Sequence, residues 1–430
     1  MDGANFVFAH LADAHVGAWS REPAVRRALR ESVLRALDVV TEHRCEFLLV
    51  SGDLFHTPVP EPGEVAPVAA RLRKLVAAGI RVYVIYGSHD YVAHRTSWLD
   101  VLAETGLFLR AAPEAIRSEG QRWTLPFLVD EPTGARIAGI SGRAQGLDRS
   151  YFAAVDSEAF RAAPGFKIFQ FHAAVEEYLP PHLREHIHGI SREDLPGACD
   201  YYAGGHIHYS YEGTGPNGGL LINPGSVFGT SVTDLEYGAR GVTNQGLVIV
   251  TVRDGRPSTE FVRTASQQSF RVFDVDVTGR TAAEARQVVT AALEAETRPG
   301  VLLFPKVHGV LAGGSVGALG LHESASAATA QGAENVHWDV RGLAPADEDP
   351  GAQDQPLDEL ERAAVRELQG RLDPSLEDLL GPGGERRLRD LMQELGTSRG
   401  EGESKQDYLQ SRVEAALAIL RLRSSATEGA

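Results

Sequence analysis

Apolar runs alternate with helix-spaced apolar positions over the first 264 residues. Residues 5–11 form a strand-like run, and apolar side chains then recur at helical spacing at Val25, Leu29, Val33, Leu37 and Val40. A further helical stretch is predicted at residues 65–78. Strand-like runs continue at residues 47–50, 80–86, 167–171, 201–203, 220–222 and 247–252. Strands that alternate with helices are typical of an α/β fold, so we predict one α/β domain over residues 1–264.

The pattern changes after this domain. Strand-like runs at 270–277 and 301–311 flank a helical stretch at 282–295, which predicts a small α+β capping domain over residues 265–340. We expect order to be weakest in the Gly, Ala and Ser-rich segment 313–332 and in an acidic, Pro-containing linker over 341–356.

Residues 357–430 show three further helix-spaced apolar stripes. They are Leu357, Leu360, Val365 and Leu368; Leu388, Leu391 and Leu395; and Leu409, Val413, Leu417 and Leu420. A C-terminal helical extension is therefore predicted. Such stripes either pack on the chain itself or bind a partner, and the preceding linker favours partner binding.

Composition limits the classes of function. The formal charge of −16 excludes wholesale electrostatic attraction to nucleic acid, so any DNA contact has to be local. Two cysteines, Cys45 and Cys199, without a CxxC pair favour a reducing, cytoplasmic compartment. Neither an export signal nor a membrane span is expected from the sequence.

Five short polar motifs follow the predicted strands. They are Asp13-Ala-His15, Gly52-Asp53, Gly87-Ser88-His89-Asp90, Phe171-His172 and Gly204-Gly205-His206-Ile207-His208. Because ligands bind at the carboxyl ends of strands in α/β sheets, these motifs are expected to converge on one site. One histidine alone is more often a solvated or core residue, but the ordered set predicts a metal site.

The residue types suit a pair of divalent cations. Carboxylates with imidazoles bind manganese, iron or zinc, and the absence of thiolates argues against a structural zinc site. Two ions about 3.5–4 Å apart clamp both the attacking and leaving oxygens of a phosphoryl displacement, and lower the pKa of bound water toward ~7. The predicted chemistry is phosphoester hydrolysis.

The ordered motifs resemble the signature of calcineurin-like metallophosphoesterases. The segment Gly52-Asp53-Leu54-Phe55-His56 narrows the resemblance to SbcD-type DNA break-repair nucleases and their archaeal and eukaryotic counterparts. His10 to Gly17 and Asn223-Pro224-Gly225-Ser226 are similar to the same group, so the resemblance covers residues 5–264. It implies a metallophosphoesterase sandwich fold.

The resemblance also implies roles for single residues. One ion would be held by Asp13, His15, Asp53 and His208, and the other by Asp53, Ser88, His172 and His206, with manganese favoured. His89 would act beside the metals as an acid and His56 would orient the DNA phosphate. Ser88 is a departure, because the family usually has Asn there and a serine hydroxyl reaches less far.

Other polar residues near these motifs receive structural interpretations. His10 and Asp90 are expected to be structural, with Asp90 able to orient His89. The separate cluster His182, His186 and His188 is read as a surface loop near the DNA cleft rather than a second metal site.

The sequence thus predicts a metal-dependent DNA exo- and endonuclease of double-strand break repair. By resemblance it would act on DNA ends with an SbcC-like coiled-coil ATPase, and form a homodimer through helices such as residues 72–78. Two alternatives stay open: a stand-alone phosphodiesterase for nucleotides or small phosphate esters, and a catalytically weak scaffold caused by Ser88.

Overall fold

The computed structural model describes residues 5–90, 96–112, 123–142, 148–184, 187, 189–264 and 269–345, with scattered positions between 384 and 419. The chain divides into two compact units, Met1–Ala346 and Asp347–Ala430. No helix within these described parts has both the length and the apolar character that a membrane crossing requires.

The described part of the first unit contains sixteen strands. In chain order they are β1 (Phe6–Leu11), β2 (Phe47–Ser51), β3 (Arg81–Ile85), β4 (Leu109–Arg110), β5 (Leu128–Asp130), β6 (Ala135–Ile140), β7 (Lys167–Phe171), β8 (Tyr201–Ala203), β9 (Tyr211–Thr214), β10 (Leu220–Asn223), β11 (Gly246–Arg253), β12 (Arg256–Arg263), β13 (Phe270–Asp276), β14 (Leu302–Val310), β15 (Asn335–Val336) and β16 (Asp339–Ala344).

The helices of the same part connect or flank these strands. They are α1 (Pro23–Glu42), α2 (Pro62–Ala77), α3 (Trp98–Glu104), α4 (Asp148–Ala153), α5 (Ser157–Ala162), α6 (Pro181–Arg184), α7 (Val232–Ala239), α8 (Ala282–Glu296) and α9 (Leu321–Ala330). Four short 3₁₀ turns are Glu176–Tyr178, Arg192–Asp194, Pro216–Gly218 and Val316–Leu319.

Two six-stranded sheets form the body of the fold. The first has the order β12-β11-β1-β2-β3-β4, and the second β5-β6-β7-β8-β10-β9. Strands β1 to β4 run parallel, as do β6, β7, β8 and β10, whereas β11 pairs with β1 antiparallel. The predicted α/β class is confirmed.

Aromatic side chains fill the space between the two sheets. The ring of Phe8 in β1 stacks on Phe47 at 4.9 Å and meets the edge of Tyr201 in β8 at 5.1 Å. All three are fully buried. Burying one such side chain contributes about 1.5–3 kcal/mol, so this layer helps to hold the two sheets together.

Helix α1 covers the other face of the first sheet. Pro23 begins it, since proline fits the first helical turn, and the predicted apolar stripe from Val25 to Val40 is buried. Every residue of β2 is also buried, because helices lie on one side and the second sheet on the other.

The predicted dimer contact at residues 72–78 lies at the end of α2. Leu72 and Leu75 are buried within their own chain, so they are not available to a second copy. The side chain of Val76 is 40% exposed. The homodimer stays a prediction, and this stretch offers little apolar surface for it.

Strands β13 to β16 form a separate four-stranded sheet that is packed with α8 and α9. The expectation of weak order at residues 313–332 is wrong. This segment contains a 3₁₀ turn and α9, because its alanines favour helix and its buried Ser324 and Ala328 face the neighbouring elements. The hydroxyls of Ser324 and Thr290 in α8 lie 3.1 Å apart.

The predicted boundary at residue 340 cuts a strand, because β16 continues to Ala344. The first four residues of the predicted linker therefore belong to the four-stranded sheet, and the remainder lies mostly outside the described residues. The other domain boundaries stay predictions.

Within the second unit, the described positions are helical. They fall in the regions of the second and third predicted stripes, at residues 384–394 and 408–419. Arg412 forms an ion pair with Glu394, which joins these two regions. The first stripe, from Leu357 to Leu368, lies outside the described residues.

Candidate metal centre

The polar motifs predicted from the sequence converge where five parallel strands end. Asp13, Asp53 and Ser88 follow β1, β2 and β3 of the first sheet, while His172 and His206 follow β7 and β8 of the second. The two sheets present these ends at one edge of the sandwich. Three groups of close ligand atoms result among the described residues: Asp13, His15 and His208; Asp13, Asp53 and His172; and His15, His56 and His89.

The first group centres on two imidazoles. The Nε2 atoms of His15 and His208 lie 3.0 Å apart, and the Nε2 atom of His15 is 3.9 Å from Oδ1 of Asp13. His15 is buried, and burial together with the charge of His208 holds its pKa well below the usual range. A neutral imidazole keeps a lone pair, which is the form that binds a metal.

His172 has one ring nitrogen without a protein partner. Its Nδ1 atom donates to the backbone carbonyl of Ser51 at 2.8 Å, so the lone pair is at Nε2 in the neutral ring. The Nε2 atom is buried, makes no hydrogen bond and lies 3.2 Å from Oδ2 of Asp53. A buried nitrogen of this kind fits a metal ion, since orphaned buried polar atoms are costly.

Asp53 lies at the centre of the site. Its Oδ1 atom accepts a hydrogen bond from the backbone N–H of His89 at 2.8 Å, and its Oδ2 atom lies 3.7 Å from Nε2 of His15. Burial raises the pKa of this carboxyl, but the charge of His172 beside it lowers the pKa more, so the net shift is downward. Asp53 therefore stays ionised.

The Asp53–His172 pair also affects the imidazole. Burial lowers the pKa of His172, yet the carboxylates of Asp53 and Asp13 raise it more, to about 10. The two buried carboxylates beside the ring thus favour positive charge at this position, as a proton or as a cation.

Asp13 is fully buried and accepts the backbone N–H of His206 on both oxygens, at 3.1 and 3.0 Å. Burial raises the pKa of this carboxyl to about 6, against the opposing charges of His172 and His208. Two buried carboxylates at one place require positive charge close by, and divalent cations supply it.

The backbone at these residues is unusual. Asp13, His15, Asp53 and His206 have φ angles of 49°, 45°, 52° and 89°, in the left-handed region that favours glycine. Strain of this kind concentrates at functional sites, where surrounding structure imposes it. Gly52 also has a positive φ, of 91°. A residue with a side chain does not fit at this position, because its Cβ atom would overlap the His172 ring.

His56 and His89 lie together beside this centre. Their rings stack at 5.0 Å with an interplanar angle of 24°, and Nδ1 of His89 donates to the carbonyl of His56 at 2.8 Å. The ring of His89 is exposed, whereas His56 is half-buried, and burial together with the charge of His89 lowers the pKa of His56. The Nδ1 atom of His89 is therefore engaged by the backbone of His56.

The side chains of two predicted ligands, Ser88 and His206, make fewer close contacts with the other ligands. The hydroxyl of Ser88 donates to Oδ2 of Asp53 at 3.3 Å. His206 belongs to none of the three groups formed by the described residues, but its ring lies 5.0 Å from that of His172 and is exposed. Of the five predicted ligands other than Asp13 and Asp53, four contact one of these aspartates: His15, Ser88, His172 and His206, the last through its backbone N–H. The fifth, His208, lies against His15.

Asp90 is structural, as expected, but it contacts backbone N–H groups rather than the His89 ring. Its carboxylate accepts the backbone N–H groups of Asp53, Gly87 and Phe55, at 2.7, 2.9 and 3.3 Å. The imidazole of His89 instead uses the carbonyl of His56. Asp90 therefore fixes the loops that carry the ligands, and burial raises its pKa to about 7.

His10 is structural, as expected, because both of its ring nitrogens have protein partners. Nδ1 lies 2.9 Å from the Tyr201 hydroxyl, and Nε2 lies 3.0 Å from the hydroxyl of Ser51. In the other cluster, His186, His188 and the side chain of His182 lie outside the described residues.

The sequence did not reveal the supporting contacts of two residues, Asp234 and Asn223. Asp234 in α7 contacts Nδ1 of His208 at 3.0 Å, and Nδ2 of Asn223 donates to the carbonyls of Ile207 and Tyr209 at 2.6 and 2.7 Å. The Ser231-x-x-Asp234 spacing is a helix-capping signal, and it marks the start of α7 without indicating what Asp234 contacts.

Comparison with known proteins agrees with this geometry. Residues 6–210 match the model of the calcineurin-like phosphoesterase family. This stretch includes every predicted ligand, from Asp13 to His208.

Several curated proteins are similar to the chain. "DNA double-strand break repair protein Mre11" of Methanococcus maripaludis is 27% identical over 205 residues, which are 47% of this chain and 51% of that protein. The protein of the same name from Archaeoglobus fulgidus is 25% identical over 63% of this chain and 61% of its own. "Uncharacterized metallophosphoesterase YhaO" of Bacillus subtilis is 25% identical over 60% of each chain. The matches thus span about half to three fifths of these relatives.

Proposed function

Because this chain carries a calcineurin-like phosphoesterase domain over residues 6–210, we propose that it is a metal-dependent phosphodiesterase that cleaves DNA ends. The observation that supports this most is the buried Nε2 atom of His172. It has no hydrogen-bond partner and lies 3.2 Å from a carboxylate at the meeting point of two sheets.

The donor set fits two divalent cations. Asp13, His15, Asp53 and His208 would hold one ion, and Asp53, Ser88, His172 and His206 the other, with manganese preferred for this mixture of carboxylates and imidazoles. When bound, such ions neutralise charge on the transferring phosphoryl group and make water more acidic. Asp53 would contribute to both sites.

The chain's own residues supply the remaining steps. In its imidazolium form, with the Nδ1–H donated to the His56 carbonyl, His89 gives the proton on Nε2 to the departing sugar oxygen and is left as the neutral Nδ1–H ring. The stacked ring of His56 orients the phosphate. Asp90 fixes the relative positions of Asp53 and Gly87, because its carboxylate accepts hydrogen bonds from their backbone N–H groups.

DNA is favoured as the substrate by the Asp53-to-His56 segment and by the names of the archaeal relatives. The net charge of −16 requires that DNA contacts be concentrated at this centre. We further propose that the helical region 357–430 binds an SbcC-like coiled-coil ATPase, that the protein acts in the cytoplasm in double-strand break repair, and that it forms a homodimer.

Two assays test the proposal. The purified protein is first incubated with bis-p-nitrophenyl phosphate and manganese, magnesium or chelator, with Asp53→Ala as the inactive control. Linear duplex DNA and cyclic mononucleotides are then compared, with and without an SbcC-like ATPase from the same organism. Manganese-dependent cleavage of DNA supports the nuclease, and cleavage of mononucleotides alone supports a stand-alone phosphodiesterase.

The scaffold alternative predicts a different result in these assays. A protein that binds the ATPase but turns over neither substrate at saturating manganese would be a catalytically weak scaffold. Ser88 would then be the first residue to examine, since its hydroxyl reaches less far than an Asn carbonyl.

A further inference from the structure

The Nδ1 atom of the His208 ring faces a hydrogen-bond acceptor, the carboxylate of Asp234. Nδ1 of His208 lies 3.0 Å from Oδ2 of Asp234 and 3.2 Å from the hydroxyl of Thr230. An ionised carboxylate only accepts hydrogen bonds, so the proton of the neutral ring is fixed at Nδ1. The lone pair is then at Nε2, the atom that lies 3.0 Å from Nε2 of His15.

Asp234 is itself fixed from several directions. Its Oδ2 atom accepts the N–H and the O–H of Thr230, both at 3.0 Å, and the N–H of Ser231 at 3.1 Å. Its backbone carbonyl accepts from Nε2 of Gln245 at 3.1 Å. The carboxylate therefore cannot turn away without breaking the cap of α7.

Helix α7 is also anchored at its next residues. Glu236 forms an ion pair of 2.7 Å with Lys306 of β14, which lies in the four-stranded sheet. The helix that carries Asp234 is thus tied to a second part of the fold. This makes Glu236 a suitable control, because it lies on the same helix but contacts no predicted ligand among its described partners.

From this geometry we infer that Asp234 is a positioning residue of the metal centre, which sets the tautomer and ring orientation of His208 before any ion arrives. The inference rests on the proposed function, in which His208 is a ligand. Carboxylates behind a ligating histidine typically change metal affinity by roughly 10- to 100-fold when removed.

Calorimetric titration of the full chain with manganese is the first test. Asp234→Ala should weaken manganese binding roughly 10- to 100-fold, and Asp234→Asn should weaken it less because its amide oxygen still accepts the Nδ1–H. Glu236→Gln should bind manganese like the wild type even though its melting temperature falls. Asp234→Asn also keeps the helix cap, so the inference can still be tested if Asp234→Ala folds poorly.

Nitrogen-15 NMR of the histidine rings in the metal-free protein is the second test. The Nδ1–H signal of His208, identified by its loss in His208→Gln, should disappear or change tautomer in Asp234→Ala and persist in Glu236→Gln. If the wild type binds manganese and Asp234→Ala binds it equally well with an unchanged ring signal, the inference is overturned and the proposed function stands. A wild type that binds no manganese overturns both.

Discussion

The hydroxyl of Ser88 donates a hydrogen bond of 3.3 Å to Oδ2 of Asp53, at the position where the resembling family carries an amide. Ser88→Asn should extend an oxygen ligand toward the second ion and lower the manganese concentration that gives half-maximal activity. The maximal rate should hardly change if saturating manganese already fills both sites. Activity titrated against manganese measures this, and a loss of activity would mean that the serine is an adapted ligand.

Asp53→Ala should abolish binding at both ion positions and all phosphoesterase activity, because its carboxylate lies within reach of His15 and His172 alike. Manganese calorimetry checks it. Asp254→Ala is a matched control, since Asp254 is an exposed aspartate with the same left-handed backbone, at φ 51°. Two normal binding events in Asp53→Ala would show that this carboxylate does not serve both ions.

His89→Ala should keep manganese binding but lose roughly 10²- to 10⁴-fold in turnover, the range for a positioned acid or base. The His89 ring is exposed, and its Nδ1 atom donates to the His56 carbonyl. Turnover of bis-p-nitrophenyl phosphate and calorimetry are measured together, with the exposed His322→Ala as control. Unchanged turnover would remove His89 from the mechanism.

Gly52→Ala should destabilise the protein and displace His172. A methyl group there overlaps the His172 ring, in addition to a left-handed strain of about 1–2 kcal/mol. Gly79→Ala carries the strain alone, because Gly79 has φ of 81° and open space around it. Urea unfolding should show a larger loss for Gly52→Ala, and only this variant should lose manganese affinity. Equal losses in the two variants would contradict the proposed overlap.

A chain ending at Asp349 should fold and cleave a generic phosphodiester but no longer bind the ATPase. The predicted ligands all belong to the compact unit Met1–Ala346, whereas the apolar stripes begin at Leu357. Pull-down of an SbcC-like ATPase from the same organism by full-length and truncated protein decides this. Undiminished binding by the truncated chain would mean that the apolar stripes do not bind the ATPase and instead pack on the chain itself.

The ligand set could be predicted because each motif directly follows an apolar run, and strand ends are the best-defined points of such a pattern. Strands β7 and β8 begin and end where the sequence places them. Asp13, Asp53 and His172 then meet because parallel strands end at one edge. The α/β class follows from the same local alternation.

The remaining features depend on contacts that sequence spacing does not encode. Strand β11 pairs with β1 although some 235 residues separate them, so the division into two sheets is not visible locally. Asp234 reaches His208 only through the tertiary placement of α7. Helix α9 was missed because small residues were read as a flexible segment, while their burial against α8 gives them a packed face.

Thermal stability and catalysis favour different residues at four positions with a left-handed backbone, which are Asp13, His15, Asp53 and His206. Glycine adopts this conformation without steric cost, so replacing any of the four by glycine would relieve strain while removing a donor atom. A library selected only for survival at high temperature should drift toward glycine at these positions. Their present side chains would then be kept only by selection for the reaction itself.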